Sequence, residues 1–303
     1  MRPASLALLA GLPAIARARD ALVCGTNGFT GSGASENLTY AANAYNSDGE
    51  GYQCLAIVNS PPSFDATWSW VEEATEVHSF PHVTFLSSKL PVAFSNISSL
   101  TLTTQWGYGT GNSTIPASVI NSTGLRRVGA TANVAFDMFA DPDVSKAANA
   151  STAATEVMIW IGSIGSPWPI GYSTNRTCFK QAVGDVEFIL YQGQNSGGTN
   201  VFSWVAATNE TVFNDDISPL LQYLWRNDLV PSNSSLGLIE FGSEAYHAGS
   251  NVTFSASNFS LELHVGKAPK LDLETMPKEC AASVVGRYPL AIIITMLAGI
   301  FVL

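Results

Sequence analysis

The sequence predicts an all-β protein, a sandwich or barrel, on three observations. Short runs rich in β-branched and aromatic residues recur along the chain, Gly, Asn, Ser and Pro punctuate them, and a single segment carries helical spacing. In order, QCLAIV, ATWSWVE, VTFLS, NVAFDMF, EVMIWIG, VEFILYQ, NVFSWVA and FSLELHV read as strands. The exception is ISPLLQYLW, around Ile217 to Trp225, where Leu220, Leu221 and Leu224 fall on one side of a helix. No internal repeat and no mid-chain linker interrupts the series, so residues 19–266 are read as one domain, large enough to bury a sizeable core at 46% hydrophobic residues.

Both ends carry export signals. Arg2 precedes the apolar run ASLALLAGLPAIA, and Ala14, Ala16 and Ala18 offer small-residue cleavage points, so residues 1–18 read as a signal peptide. KAPKLDLETMPKEC, from Lys267 to Cys280, is Pro- and charge-rich and reads as a stalk, with 267–283 the stalk and anchor-attachment region. Ala281, Ala282 and Ser283 then precede a spacer and the uncharged run from Pro289 to Leu303, which is shorter than the ~20 residues of a bilayer span. That order matches a glycosylphosphatidylinositol signal in which residues 284–303 are removed. The expected location is the cell surface or cell wall, with a lipid anchor in the plasma membrane.

Between the ends, glycosylation sequons stand at Asn37, Asn96, Asn112, Asn121, Asn149, Asn175, Asn209, Asn233, Asn251 and Asn258, as in a secretory glycoprotein. Cys24, Cys54, Cys178 and Cys280 form an even set without C-x-x-C, which points to two disulfides rather than a zinc or redox site. Three pairings are open. Cys24 with Cys54 is preferred because it would staple the N-terminal strands, leaving Cys178 with Cys280. A net charge of −10 argues against nucleic acid as a partner. A monomer is expected.

Two carboxylates carry the functional signal. Glu156 lies in TEVMIWIGS and Glu244 in EFGSEAYHAG, apolar and aromatic-flanked segments in which packing gives no reason for an acid. Strand alternation puts Glu156, Met158 and Trp160 on one face and Val157, Ile159 and Ile161 on the other, so the acid sits beside an indole. Aromatic faces stack on sugar rings, and a partly desolvated carboxyl holds a proton near working pH, which is the chemistry of glycoside cleavage. Other chemistries lack their motifs: there is no G-x-S-x-G, no phosphate-binding Gly/Lys loop, and Pro81 breaks the helical metal pair that His78 and His82 would form. No metal or cofactor is expected. His247 reads as a loop histidine at the cleft edge.

These segments, with SFPHVTFLSSKLPVAFSNISSLTLTTQWGYG, the ISPLLQYL helix and the P-I-G that follows E-x-M-I-W, resemble in order the glycoside hydrolase family 12 endoglucanases and xyloglucanases. The resemblance spans roughly residues 24–265. It implies a β-jelly-roll sandwich of two curved antiparallel sheets with one short helix, and an open cleft for β-glucan on the concave face. By the same resemblance Glu156 is the nucleophile, Glu244 the acid/base and Asp137 a supporting carboxylate, while Trp160, Met158, Tyr45, Tyr246 and Trp106 line the substrate. Two departures bear on substrate preference. Asn43, Ala44, Tyr45 and Asn46 stand where the family has Asn-Leu-Trp-Gly, so a tyrosine replaces an indole platform, and Ala245 with Tyr246 replaces Pro-Phe after the acid. The reading is a retaining endo-β-1,4-glucanase or xyloglucanase, with a wall-remodelling transglycosylase and a non-catalytic glucan-binding or wall-structural glycoprotein as alternatives. On strand spacing Glu240 lies too far from Glu244 to serve the same bond, so it is expected to be dispensable for activity.

Overall fold

The structure is a computed structural model that describes residues 19–24, 30–32, 37–45, 51–172 and 179–270. Its strands run β1 (Ala21–Cys24), β2 (Thr30–Ser32), β3 (Leu38–Ala41), β4 (Tyr52–Asn59), β5 (Pro62–Ser69), β6 (His82–Phe85), β7 (Val92–Ala93), β8 (Ile97–Thr110) and β9 (Thr131–Asp141). They continue as β10 (Thr155–Ile164), β11 (Lys180–Val183), β12 (Val186–Gln194), β13 (Asn200–Ala206), β14 (Val212–Asp216), β15 (Ser235–Gly242), β16 (Ala245–His247) and β17 (Val252–Val265). Six form one sheet, in the order β1-β4-β5-β17-β8-β14. The other eleven form a second, in the order β11-β12-β13-β10-β9-β15-β6-β3-β2, with β16 on β9 and β7 on β15. Every pairing is antiparallel except β10 with β13. This is the sandwich the strand pattern predicts, in the jelly-roll form that the family resemblance implies.

Period-two alternation builds the core. On β10, Val157, Ile159 and Ile161 enter the main cluster between the sheets, whereas Met158 and Trp160 join Ala135 and Val201 in a small cluster on the opposite face. Phe136 of β9 stands at the centre, with ring centroids 4.7 Å from Phe241, 5.7 Å from Phe213 of the six-stranded sheet and 6.4 Å from Phe85. Aromatic contacts of this geometry add to the area they bury. The predicted helix is Ser218–Arg226, with Leu220, Leu221 and Leu224 fully buried. Two shorter helices, Ser122–Arg127 and Val144–Ala147, correct the expectation of one. Each is about one turn, too short for periodicity to show, and side-chain oxygens of Asn121 and Asp143 cap them.

The Cys24–Cys54 disulfide joins β1 to β4, as preferred from the sequence. Cys178, Cys280, Asn175, the leader 1–18 and the tail 284–303 lie outside the described residues, and no helix among the described residues is long and apolar enough to cross a membrane. Of the described sequon asparagines, all are exposed except the half-buried Asn251.

Phe136→Ala is expected to destabilise the fold by ~3–5 kcal/mol, because the cavity opens where both sheets meet. Equilibrium denaturation of the described domain measures it, and a loss below ~1 kcal/mol would place the packing centre elsewhere.

Candidate active site

Strand register assembles the site. Asp137 on β9 lies opposite Met158 on β10 and opposite Glu240 on β15, while Glu156 lies two residues from Met158 along β10, opposite Phe139 and Val201. Glu244 follows the end of β15. Its backbone N–H donates to Asn133 Oδ1 at 2.8 Å, Asn133 N–H donates to the Glu244 carbonyl at 3.1 Å, and Asn133 Nδ2 donates to the Glu244 carboxylate. The Tyr246 hydroxyl adds a bond to Glu244 Oε2 at 3.2 Å. Beneath this clamp runs a directed chain: Trp68 Nε1 donates to Tyr108 Oη at 2.8 Å, Tyr108 contacts Ser243 Oγ at 3.2 Å, and Ser243 donates to the Asn133 carbonyl at 2.6 Å.

The electrostatics follow from crowding acids in a part-exposed cleft. Burial, then the charge of Glu244, raises Glu156 to about 8, against a hydrogen bond from Asn195 that favours the ionised form. Burial raises Glu244 to about 7, against the bonds from Tyr246 and Asn133. Asp137 is pushed well above the carboxylate range by burial and then by Glu156, Glu240 and Glu244, and its Oδ1 has no hydrogen-bond partner among the described residues. Glu156 and Glu244 therefore both hold their protons into the neutral range, Glu156 in part because Glu244 lies close by.

Glu240 is not remote from this cluster. Its charge raises both Asp137 and Glu156, and it contacts His82 Nε2 at 3.2 Å and accepts from Thr84 at 3.3 Å. His82 Nδ1 lies 2.8 Å from the Phe80 carbonyl, which can only accept, so Nδ1 carries a proton and the His82–Glu240 contact must hold another. Burial pulls the pKa of this imidazole down, but the charge of Glu240 and the ring's hydrogen bonds outweigh it and the net shift is upward. Strand counting missed this because Glu240 reaches the cluster across the sheet, through Asp137.

The lining assignments need correction. Trp106 is fully buried between the sheets, donates to the Glu210 carbonyl at 2.8 Å and fills the space above Gly162, where a Cβ would lie 2.6 Å from its ring, so it is core and not substrate-facing. Trp160 does share the Glu156 face, but it is only 2% exposed, closed in by Ala135, Met158 and Val201, with its N–H on Met158 Sδ at 3.4 Å. It is floor rather than open platform, and Met158 is buried beside it. Tyr246 is also buried and holds the acid. Tyr45 alone among the five presents a face. It is 51% exposed, and burial and then Glu244, Asp137 and Glu156 push its phenol strongly up, which puts its hydroxyl end at the carboxylates. His78 stacks on Trp70, and His247 Nδ1 lies 2.8 Å from the Gly129 carbonyl. Sequence reading missed Asn133, although it shares a strand face with Asp137 in NVAFD, and it missed Asn195.

With this geometry in hand, the comparisons are specific: residues 36–264 match Glycosyl hydrolase family 12. The chain belongs to that family. Within it, the xyloglucan-specific endo-beta-1,4-glucanase 1 of Phytophthora sojae is 30% identical over 219 residues, 71% of this chain and 80% of its own. The inactive glycoside hydrolase XLP1 of Phytophthora nicotianae is 28% identical over 213 residues, 69% of this chain and 79% of its own. In structure, endoglucanase 3 of Trichoderma harzianum, from the same family, superposes with a TM-score of 0.65 at 24% identity, over 82% of this chain and 100% of that one. That likeness carries the fold.

Raised carboxyls make the site a source of instability. The folded state binds more protons than the unfolded chain from the ordinary value of 4.5 up to about 7 and about 8, so stability falls as pH rises through that window. Glu156→Gln and Glu244→Gln are therefore expected to raise the melting temperature at pH 7–8 by a few degrees, ~2–4 °C for each kcal/mol relieved, and to leave it unchanged at pH 4. An equal gain at both pH values in calorimetry would locate the effect outside the charges.

Proposed function

We propose that this protein is a retaining endo-glycosidase that hydrolyses β-1,4-glucan or xyloglucan, with Glu156 as nucleophile and Glu244 as acid/base. The observation that carries the reading is the pair itself: two part-buried glutamates on one sheet face, coupled in charge and held by separate hydrogen-bond donors, in a chain of a glycoside hydrolase family. Both carboxyls are raised, Glu156 to about 8 and Glu244 to about 7, so the reacting form is the fraction of molecules in which Glu156 has given up its proton and Glu244 has kept its own. In retention that Glu156 attacks the anomeric carbon while Glu244 gives its proton to the leaving oxygen. Glu244 then takes a proton from the water that releases the sugar. Asp137, whose carboxyl is pushed up by burial and then by the charge of Glu156, stands beside the nucleophile as a supporting carboxylate. Tyr45 offers a smaller stacking face than an indole, which weakens hold on bare chains at that end of the cleft.

The inactive relative gives substance to a second reading, a glucan-binding glycoprotein without turnover. The assembled Glu156, Glu244 and Asp137 favour hydrolysis. A transglycosylase would use the same intermediate with a sugar as acceptor, and product sizing separates it from a hydrolase. An extracellular, glycosylated and lipid-anchored protein fits the two termini and the exposed sequons.

Glu156→Ala is expected to lose turnover by orders of magnitude, and azide should then restore it with inverted product; Glu244→Ala should act on substrates with good leaving groups and give retained azide product. Anomeric inversion by the wild type, followed by NMR, would overturn the assignment. For the anchor, phosphatidylinositol-specific phospholipase should release the protein from membranes, and mass spectrometry of the released chain should show glycans and no peptide from 284–303. Finding that tail peptide in the mature protein would refute the anchor.

A further inference from the structure

A second aromatic array stands beside the carboxylate cluster. Trp168 stacks on Tyr172 with centroids 5.6 Å apart and planes 8° from parallel, and Tyr172 stacks on Tyr191 at 5.7 Å and 24°. The rings climb out of the protein: Tyr191 is 9% exposed, Tyr172 48% and Trp168 69%. Register fixes where they stand. Tyr191 pairs with Ser203, which pairs with Met158, and Gly193 pairs with Val201, which pairs with Glu156. Residues in register share a sheet face, so Tyr191 rises from the face that carries Glu156, two strands or ~10 Å from Met158. Asn195, further along the same edge, hydrogen-bonds Glu156 itself.

The loop that presents the rings is fixed in place. Gly165 has a φ of +68° and its Cβ would meet the Ala130 carbonyl at 2.1 Å, so the turn out of β10 admits only glycine. Pro167 and Pro169 flank Trp168 and restrict its backbone to extended conformations. Tyr172 N–H closes a turn on the Pro169 carbonyl at 3.0 Å. Gly171, with a φ of +90°, lies so close to β12 that a Cβ would sit 2.0 Å from the Gln192 carbonyl, and Ile170 covers Gly193. Holding the largest apolar side chain rigid and in water serves recognition, because little freedom is left to lose on binding.

We infer that Trp168 and Tyr172 form a sugar-binding platform that extends the cleft on the β12 side and takes glucosyl units of a β-1,4-glucan chain beyond those at the catalytic pair. The rings are uncharged and broad, which suits a neutral pyranose face, and their continuity with the Glu156 face commits them to the same chain. The inference rests on the glucanase reading above.

The test uses the full chain with Glu156→Gln to stop turnover, and calorimetric titration with a β-1,4-glucan hexasaccharide and trisaccharide. Adding Trp168→Ala or Tyr172→Ala is expected to weaken the hexasaccharide about 3- to 10-fold and the trisaccharide less than 2-fold. In the Glu156-intact protein the same changes should raise KM for polymer by a similar factor, with a smaller change in kcat. Unchanged hexasaccharide affinity in both variants, or equal losses for the two ligands, would overturn the platform while the wild type still cuts polymer. A wild type that neither binds nor cuts any β-glucan would instead remove the glucanase reading and the platform with it.

Discussion

Crowding acids on one face of adjacent strands is the constraint to which the rest of this structure answers. Asp137, Glu156 and Glu240 come from three neighbouring strands and Glu244 from the end of one of them, and strand spacing brings such residues within strong mutual repulsion. Each is given a different means of tolerating the others. Glu244 has Asn133 and Tyr246, Glu156 has Asn195, Glu240 has His82, and the Asp137 carboxyl is pushed well up by burial and by its neighbours. The opposite face of the same strands supplies the apolar burial, Phe136 and Ile159 among it, that makes the arrangement affordable.

Much of this was legible because two periods dominate the chain. Alternation in TEVMIWIGS correctly divided Glu156, Met158 and Trp160 from Val157, Ile159 and Ile161, and the leucines of ISPLLQYLW marked the one long helix. Alternation says which residues share a face, however, and not how closely neighbouring strands shut over it. That is why Trp160 reads as a platform and is floor, and why Trp106, a residue of the six-stranded sheet, reads as lining and is core. The partnerships of Asn133 with Glu244 and of His82 with Glu240 span 111 and 158 residues, and no local pattern announces contacts made across a sheet.

One relative, 28% identical over 213 residues, is named an inactive glycoside hydrolase. A single carboxyl-to-amide change keeps the volume, turns one acceptor oxygen into a donor and removes the ionisable proton. The scaffold would lose nothing by it and, with fewer charges to desolvate, would gain stability. Activity here is maintained against the grain of folding.

The bonded chain from Trp68 through Tyr108 and Ser243 to Asn133 begins in the six-stranded sheet and ends under the acid. It works as a strut between the two layers, so the depth at which Glu244 sits is set by the spacing of the sandwich. A tryptophan in the opposite layer and the carboxyl at the cleft are therefore parts of one bonded unit, and a change at the back of the molecule is felt at the front.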